Sequence, residues 1–250
     1  MNLSGRLSAR DGRVRPPSSV PLAVRLVLMA SLLVQLCWGH TRPVAIATAE
    51  ALPDAADTRL LQLSAMGEPG TLAKVLMLWL QVFDNQPGIS IPFARLDYAR
   101  VINWLDAVLD LDDRFQYPLL FASRVYTETP DNGRKRQMLE FVHRRFHEDP
   151  ERRWPWMAHA VYVAKHRIGD LQLALRYANA LRLNVNSDVT PPWVTQMEIF
   201  VLEELGELDS ARILIGGLLA SGKLEGNDNE LRFLKNKLAE LQLKEQWSNP

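Results

Sequence analysis

The sequence predicts an all-α fold, an α-solenoid of helical hairpins that follows one N-terminal apolar helix. Three observations predict it. Pro118, Pro155 and Pro192 recur at intervals of 37 residues, and proline suits the opening turn of a helix, where a missing N–H costs nothing. Asn132, Gly169 and Gly206 each follow fourteen residues later; these residue types tolerate the positive φ found just past a helix end. Apolar positions also coincide at the same offset, with Leu120, Met157 and Val194 in one column and Ser123, Ala160 and Met197 in another. Start signals, stop signals and core positions that share one period are the signature of stacked hairpins.

Residues 1–21 carry Arg6, Arg10, Arg13 and Arg15 against Asp11 alone, beside Pro16-Pro17-Ser18-Ser19. That composition builds no core and predicts a disordered basic tail on the cytoplasmic side. Residues 22–39 are apolar apart from Arg25, Ser31 and Gln35. They are short for a spanning helix, which needs about 20 residues, so two readings stand: an uncleaved anchor, or a signal segment cut near Ala45-Ile46-Ala47. Both put the arginines inside and the rest of the chain outside the cytoplasm, which in a bacterium is the periplasm. Residues 40–56, rich in Ala, Thr and Pro, predict a flexible linker.

The helical domain is expected over 57–243. Its first helices lie at 57–66, ended by Gly67, and at 70–84, where Leu72, Val75, Leu76, Trp79 and Phe83 form a stripe. A loop at 85–92 follows. Further helices are expected at 96–111, 116–129, 133–147, 154–168, 170–183, 192–205, 208–221 and 229–242. In the fourth of these eight, Met157, Ala160, Val161, Ala164 and Ile168 keep the spacing of an amphipathic stripe. The last helix, with Lys235, Lys237 and Glu240 outward, suits the polar cap of an open stack, and 244–250 is expected to be a disordered tail. After the turns, Ala174 matches Ala211, Ala178 matches Ile215 and Leu181 matches Leu218; the first copy is weaker, with Gln137 and Arg144 in two of those columns and Phe141 in the third.

Ile168-Gly169-Asp170-Leu171-Gln172-Leu173-Ala174-Leu175 resembles the turn and second helix of a tetratricopeptide repeat, and Leu205-Gly206-Glu207-Leu208-Asp209-Ser210-Ala211-Arg212 resembles it again. The resemblance covers roughly 115 to 225. It departs from the family in its period, 37 rather than about 34, and in Val161 and Glu198, which stand where the family prefers Gly or Ala. The whole chain also resembles proteobacterial proteins that join a membrane segment to such a domain.

Chemistry is thinly signalled. Net formal charge is zero, so no overall field points to nucleic acid. The local excess of Lys and Arg between Arg134 and Arg167 predicts a solvated face, or less simply an anionic partner. The single Cys37 allows no disulfide framework and reads as a small buried hydrophobe. His143 and His147 have the i, i+4 spacing of two metal ligands, but Arg144 occupies the position where the zincin pattern needs Glu. Neither a phosphate-binding glycine loop nor a nucleophile elbow occurs in the sequence, so a non-enzymatic chain with no cofactor and no metal is expected.

The remaining signal is aromatic. Trp156 and Trp193 open successive first helices, where packing between repeats and partner contact compete as explanations. The family resemblance implies that first helices line a concave, peptide-holding groove. Here that groove would present Trp156, His159, His166, Arg167, Trp193, Gln196 and Phe200, and Trp and Arg are enriched at binding hot spots. The expected function is a membrane-anchored scaffold in the bacterial envelope whose partner is another protein. The alternative is a structural subunit of a larger membrane complex, with an enzyme as the remaining reading.

Overall fold

The structure, a computed structural model, describes residues 20–41, 50–83, 85–86, 89–91, 95–186, 189–221 and 227–248. The basic tail, the Ala45-Ile46-Ala47 site and residues 249–250 lie outside them. The chain divides into two compact units, 1–47 and 48–250. In the first, α1 (Leu22–Thr41) buries no residue. Its 20 residues extend about 30 Å at 1.5 Å per residue, the thickness of a bilayer core, and it is long and apolar enough to cross a membrane. Cys37 is exposed on this helix rather than buried.

The second unit is helical, with ten α-helices among its described residues. Its first contacts precede any helix. Leu52 is buried, its carbonyl accepts from Arg100 Nη1 at 2.6 Å, and the Pro53 carbonyl accepts from Trp104 Nε1 at 2.9 Å. The end of the expected linker is therefore docked. α2 (Thr58–Ser64) and α3 (Pro69–Val82) are joined by Met66 and Gly67, both at positive φ. The buried face of α3 is Ala73, Met77 and Leu80, whereas Val75 and Trp79 of the expected stripe are exposed. Within the expected loop, Asn85–Gln86 pairs antiparallel with Ile89–Ser90, a minimal β1–β2 ladder.

α4 (Tyr98–Leu111), capped by Asp97, leads to a helical arm over 117–128 that changes its hydrogen-bond ladder twice. It starts as α5 (Tyr117–Leu120), continues as a π turn (Phe121–Val125) and ends as a 3₁₀ turn (Tyr126–Glu128). α6 (Asn132–Phe146) begins where the sequence suggested a helix end: Asn132 is its first helical residue and Asp131 its cap. Pro118 sits in an opening turn as expected, but Pro155 does not. α7 (Pro150–Val163) starts one turn earlier, at Asp149-Pro150, and holds Pro155 inside. Asp149 is a stronger start signal because its carboxylate accepts the Arg152 N–H, which no proline can do.

α7 ends in a π turn (Ala164–Ile168) and Gly169 at φ +76°. α8 (Leu171–Asn184), α9 (Pro192–Glu204) and α10 (Leu208–Ala220) follow, with Gly206 at φ +80° between the last two. Asp170, expected in the first turn of α8, is its cap. α11 (Asp228–Ser248) runs past the expected end at 242. Lys237 is not outward: its ammonium lies 2.6 Å from Glu203.

Most positions of the matched columns are core, while Leu120, Met197 and Leu218 are partly buried. Met157, Val194, Ser123, Ala160, Ala174, Ala211, Ala178 and Ile215 are all fully buried. Ala160 and Ala164 are fully buried, and each buried Leu or Phe of the core contributes about 1.5–3 kcal/mol. Gln137 and Arg144 stay exposed while Phe141 is buried, which explains the weaker first copy.

Candidate functional site

Side chains about one period apart meet. Gln81 touches Tyr117, Gln116 touches Trp156, Glu128 touches Arg167, Trp154 meets Trp193 edge-on, and Lys165 pairs with Glu204. These contacts line up α3, the 117–128 arm, α7 and α9 as neighbours. Asp106 and Asp110 meet Arg145, and Glu140 meets Tyr177, which lines up α4, α6 and α8 as a second row.

The basic run dissolves in this packing, because its cations pair with acids both inside the run, Glu148 and Asp149, and outside it. Arg144 and Arg145 bind Asp106, Arg136 binds Asp170, and Arg167 binds Glu128. Two bonds hold the Asp170 carboxyl below the usual carboxylate range: first the Leu173 N–H, then Arg136. Arg153, placed by sequence on a solvated face, is 2% exposed. It binds Glu148 at 2.7 Å, the Arg145 carbonyl and the Asp113 carbonyl at 3.2 Å, so it ties the ends of α4 and α6 to α7.

The seven candidate residues separate into three places. On α7, Trp156 is half-buried and its Nε1 donates to Gln116 Oε1 at 2.9 Å. His159 stacks on Tyr162 with centroids 5.7 Å apart, and the His166 ring lies 5.0 Å from the same ring, tilted against it. Arg167 follows, exposed, 2.6 Å from Glu128. Burial pushes the His159 imidazole below its ordinary pKa, and Arg124 and Arg167 push the same way against Glu128. Tyr162, 48% exposed, is the centre of this stripe. The sequence reading passed over it, although its place three residues after His159 and four before His166 was available.

On α9, Trp193 is 51% exposed with its edge on Trp154, and Phe200 packs against Phe233 of α11 with the Lys237 ammonium 5.7 Å from its ring. Gln196 is 5% exposed and lines a cavity on another side of the helix. α9 is covered by α7, α8 and α10 as well as α11, so a single stripe does not describe it and a surface reading of Gln196 fails. Glu198 is buried and bonded to Asn179 at 3.0 Å and to Arg182.

His143 and His147 bring their Nε2 atoms to 3.4 Å. Burial lowers the His143 pKa, and His147 lowers it further. Among the described residues, no third His, Cys, Asp or Glu completes a metal-binding group with them. No family model, curated protein or solved structure matches the chain.

Proposed function

We propose that the chain is a non-enzymatic, membrane-anchored protein-interaction scaffold of the bacterial cell envelope, with its helical domain in the periplasm. The domain is read as a tetratricopeptide-like solenoid, and α1 as the anchor that confines it to the membrane. The observation that carries the reading is the stripe on α7 formed by the half-buried His159 and the exposed Tyr162 and His166, which continues into Arg167. Aromatic rings with few rotatable bonds, beside a cationic residue, bind partners at low entropic cost. The contacts between residues 34 to 41 positions apart support the solenoid, because stacked repeats place equivalent residues side by side. Arginines that precede α1 support the orientation.

The test is crosslinking and pull-down from membranes with Tyr162→Ala and Arg167→Glu combined. Recovery of a specific partner by the parent chain, and its loss in a variant that keeps its helical circular dichroism, is expected. Unchanged recovery sinks the assignment of the stripe.

A structural subunit is the second reading, favoured by a specific apolar surface. Leu60 and Leu63 on α2 and Val75, Leu78 and Val82 on α3 are all exposed, more apolar surface on two successive helices than scattered single residues would leave. A large assembly that survives detergent extraction and sizing would favour it over transient capture.

A further inference from the structure

We propose that the cavity formed by the ends of α8 and α10 and the starts of α9 and α11 receives a cationic group on an aliphatic stem: the arginine or lysine side chain of a partner protein. The cavity holds about 290 Å³, at the lower limit of the range for small-molecule pockets, so it is sized for one side chain. Its apolar wall is Val185, Leu218 and Leu234, which suits a methylene stem, and its polar wall includes Thr195, Gln196 and Glu230.

Glu230 is the deciding residue. Asn227 caps the start of α11 by accepting the Glu230 N–H at 3.2 Å. In a reciprocal capping box the acid three residues on reaches back to the cap. Here Glu230 Oε1 is buried with no hydrogen-bond partner, and burial raises the carboxyl above its ordinary pKa. A buried carboxylate without a donor is costly, and a guanidinium or ammonium would supply one. Arg182, the one cation among the described lining residues, is already committed: its Nε binds Glu198, whose other oxygen binds Asn179. Glu230 is the one acidic side chain among the described lining residues. Thr195 donates its hydroxyl hydrogen to the Pro192 carbonyl, which leaves its oxygen as an acceptor toward the same group.

The inference takes its source of ligand from the interaction reading, but its test needs no partner, so the two fail separately. The full chain in detergent is titrated calorimetrically with the methylamides of N-acetyl-arginine, N-acetyl-lysine and N-acetyl-citrulline, and with agmatine. The arginine or lysine derivative is expected to bind, and the neutral citrulline derivative at least about tenfold more weakly. Glu230→Gln should weaken the cationic probe by about tenfold or more while the melting temperature is kept. Ser221→Trp, which fills the cavity from its lining, should abolish binding without touching the carboxylate. Equal binding of citrulline, no binding of either cationic amino-acid derivative, or Glu230→Gln binding like the parent overturns the proposal. Binding of agmatine alone also overturns it, in favour of a free amine.

Discussion

The hairpin of the 117–128 arm with α6 and the hairpin of α7 with α8 descend from one sequence pattern, yet they turn in different ways. The second reverses within two residues: Gly169 takes φ +76°, Asp170 donates its N–H back to the Ala164 carbonyl at 2.9 Å and its carboxylate caps α8. The first uses a longer connection. Its arm tightens into a 3₁₀ turn, Thr129 is extended, and Asp131 accepts the N–H groups of Gly133 and Arg134. No residue of that turn needs positive φ. A tight turn must place one residue in the left-handed region, whereas a connection longer by a residue or two satisfies the same helix ends with side-chain bonds. That is why Asn132, matched by spacing to two glycines, is helical.

Substitutions sharpen this contrast. The largest effect is expected at Arg153, which joins the two hairpins. Arg153→Ala takes a shared donor from the Arg145 and Asp113 carbonyls and from Glu148, which keeps Arg145 as a partner, and should cost about 2–3 kcal/mol, read as the shift in urea midpoint. Next is the turn itself. Gly169→Ala forces a Cβ into left-handed backbone and should cost about 1–2 kcal/mol, while Asn132→Ala, at helical φ, should stay within about 0.5 kcal/mol. Equal costs at the two sites would remove the difference drawn between the turns. Asp131→Ala should cost about 1 kcal/mol through the lost cap.

The smallest effect is a pH dependence shared by both hairpins. His143 on α6 and His159 on α7 have folded pKa values below the ordinary histidine value. The unfolded chain then binds more protons in that range, so the stability they contribute is complete above about pH 6.5 and falls as pH drops below it. The urea midpoint should be lower at pH 5.5 than at pH 7.5. His143→Gln and His159→Gln should each flatten that slope by the share of its own hairpin. Glu148 and Asp170, whose pKa values are also lowered, act in the same direction only below about pH 4.5, so the two windows separate.

Much of the helix order was legible because proline, glycine and buried alanine have backbone consequences that do not depend on tertiary context. Gly67, Gly169 and Gly206 stop helices as their residue type requires. Pro155 misled because two start signals stand five residues apart, and only the capping oxygen of Asp149 distinguishes the true one. The site was harder to read. Spacing shows which residues share a stripe, but it does not show how many neighbours a helix has. α7 keeps its histidines and Arg167 on one side; α9 has neighbours on more sides, so Trp193 and Phe200 stay exposed while Gln196 is buried. The basic run was misread for a related reason. Two of its counter-charges, Asp106 for Arg144 and Glu128 for Arg167, lie 38 and 39 residues away in sequence and are adjacent only after folding.

The carbonyls of Leu52 and Pro53, held by Arg100 and Trp104, have a practical consequence for dissecting the molecule. A truncated polypeptide that begins at the first helix of the domain would lose both acceptors and strand two donors of α4. The shortest autonomous folding unit therefore starts ahead of Leu52, in a stretch that composition alone marks as expendable.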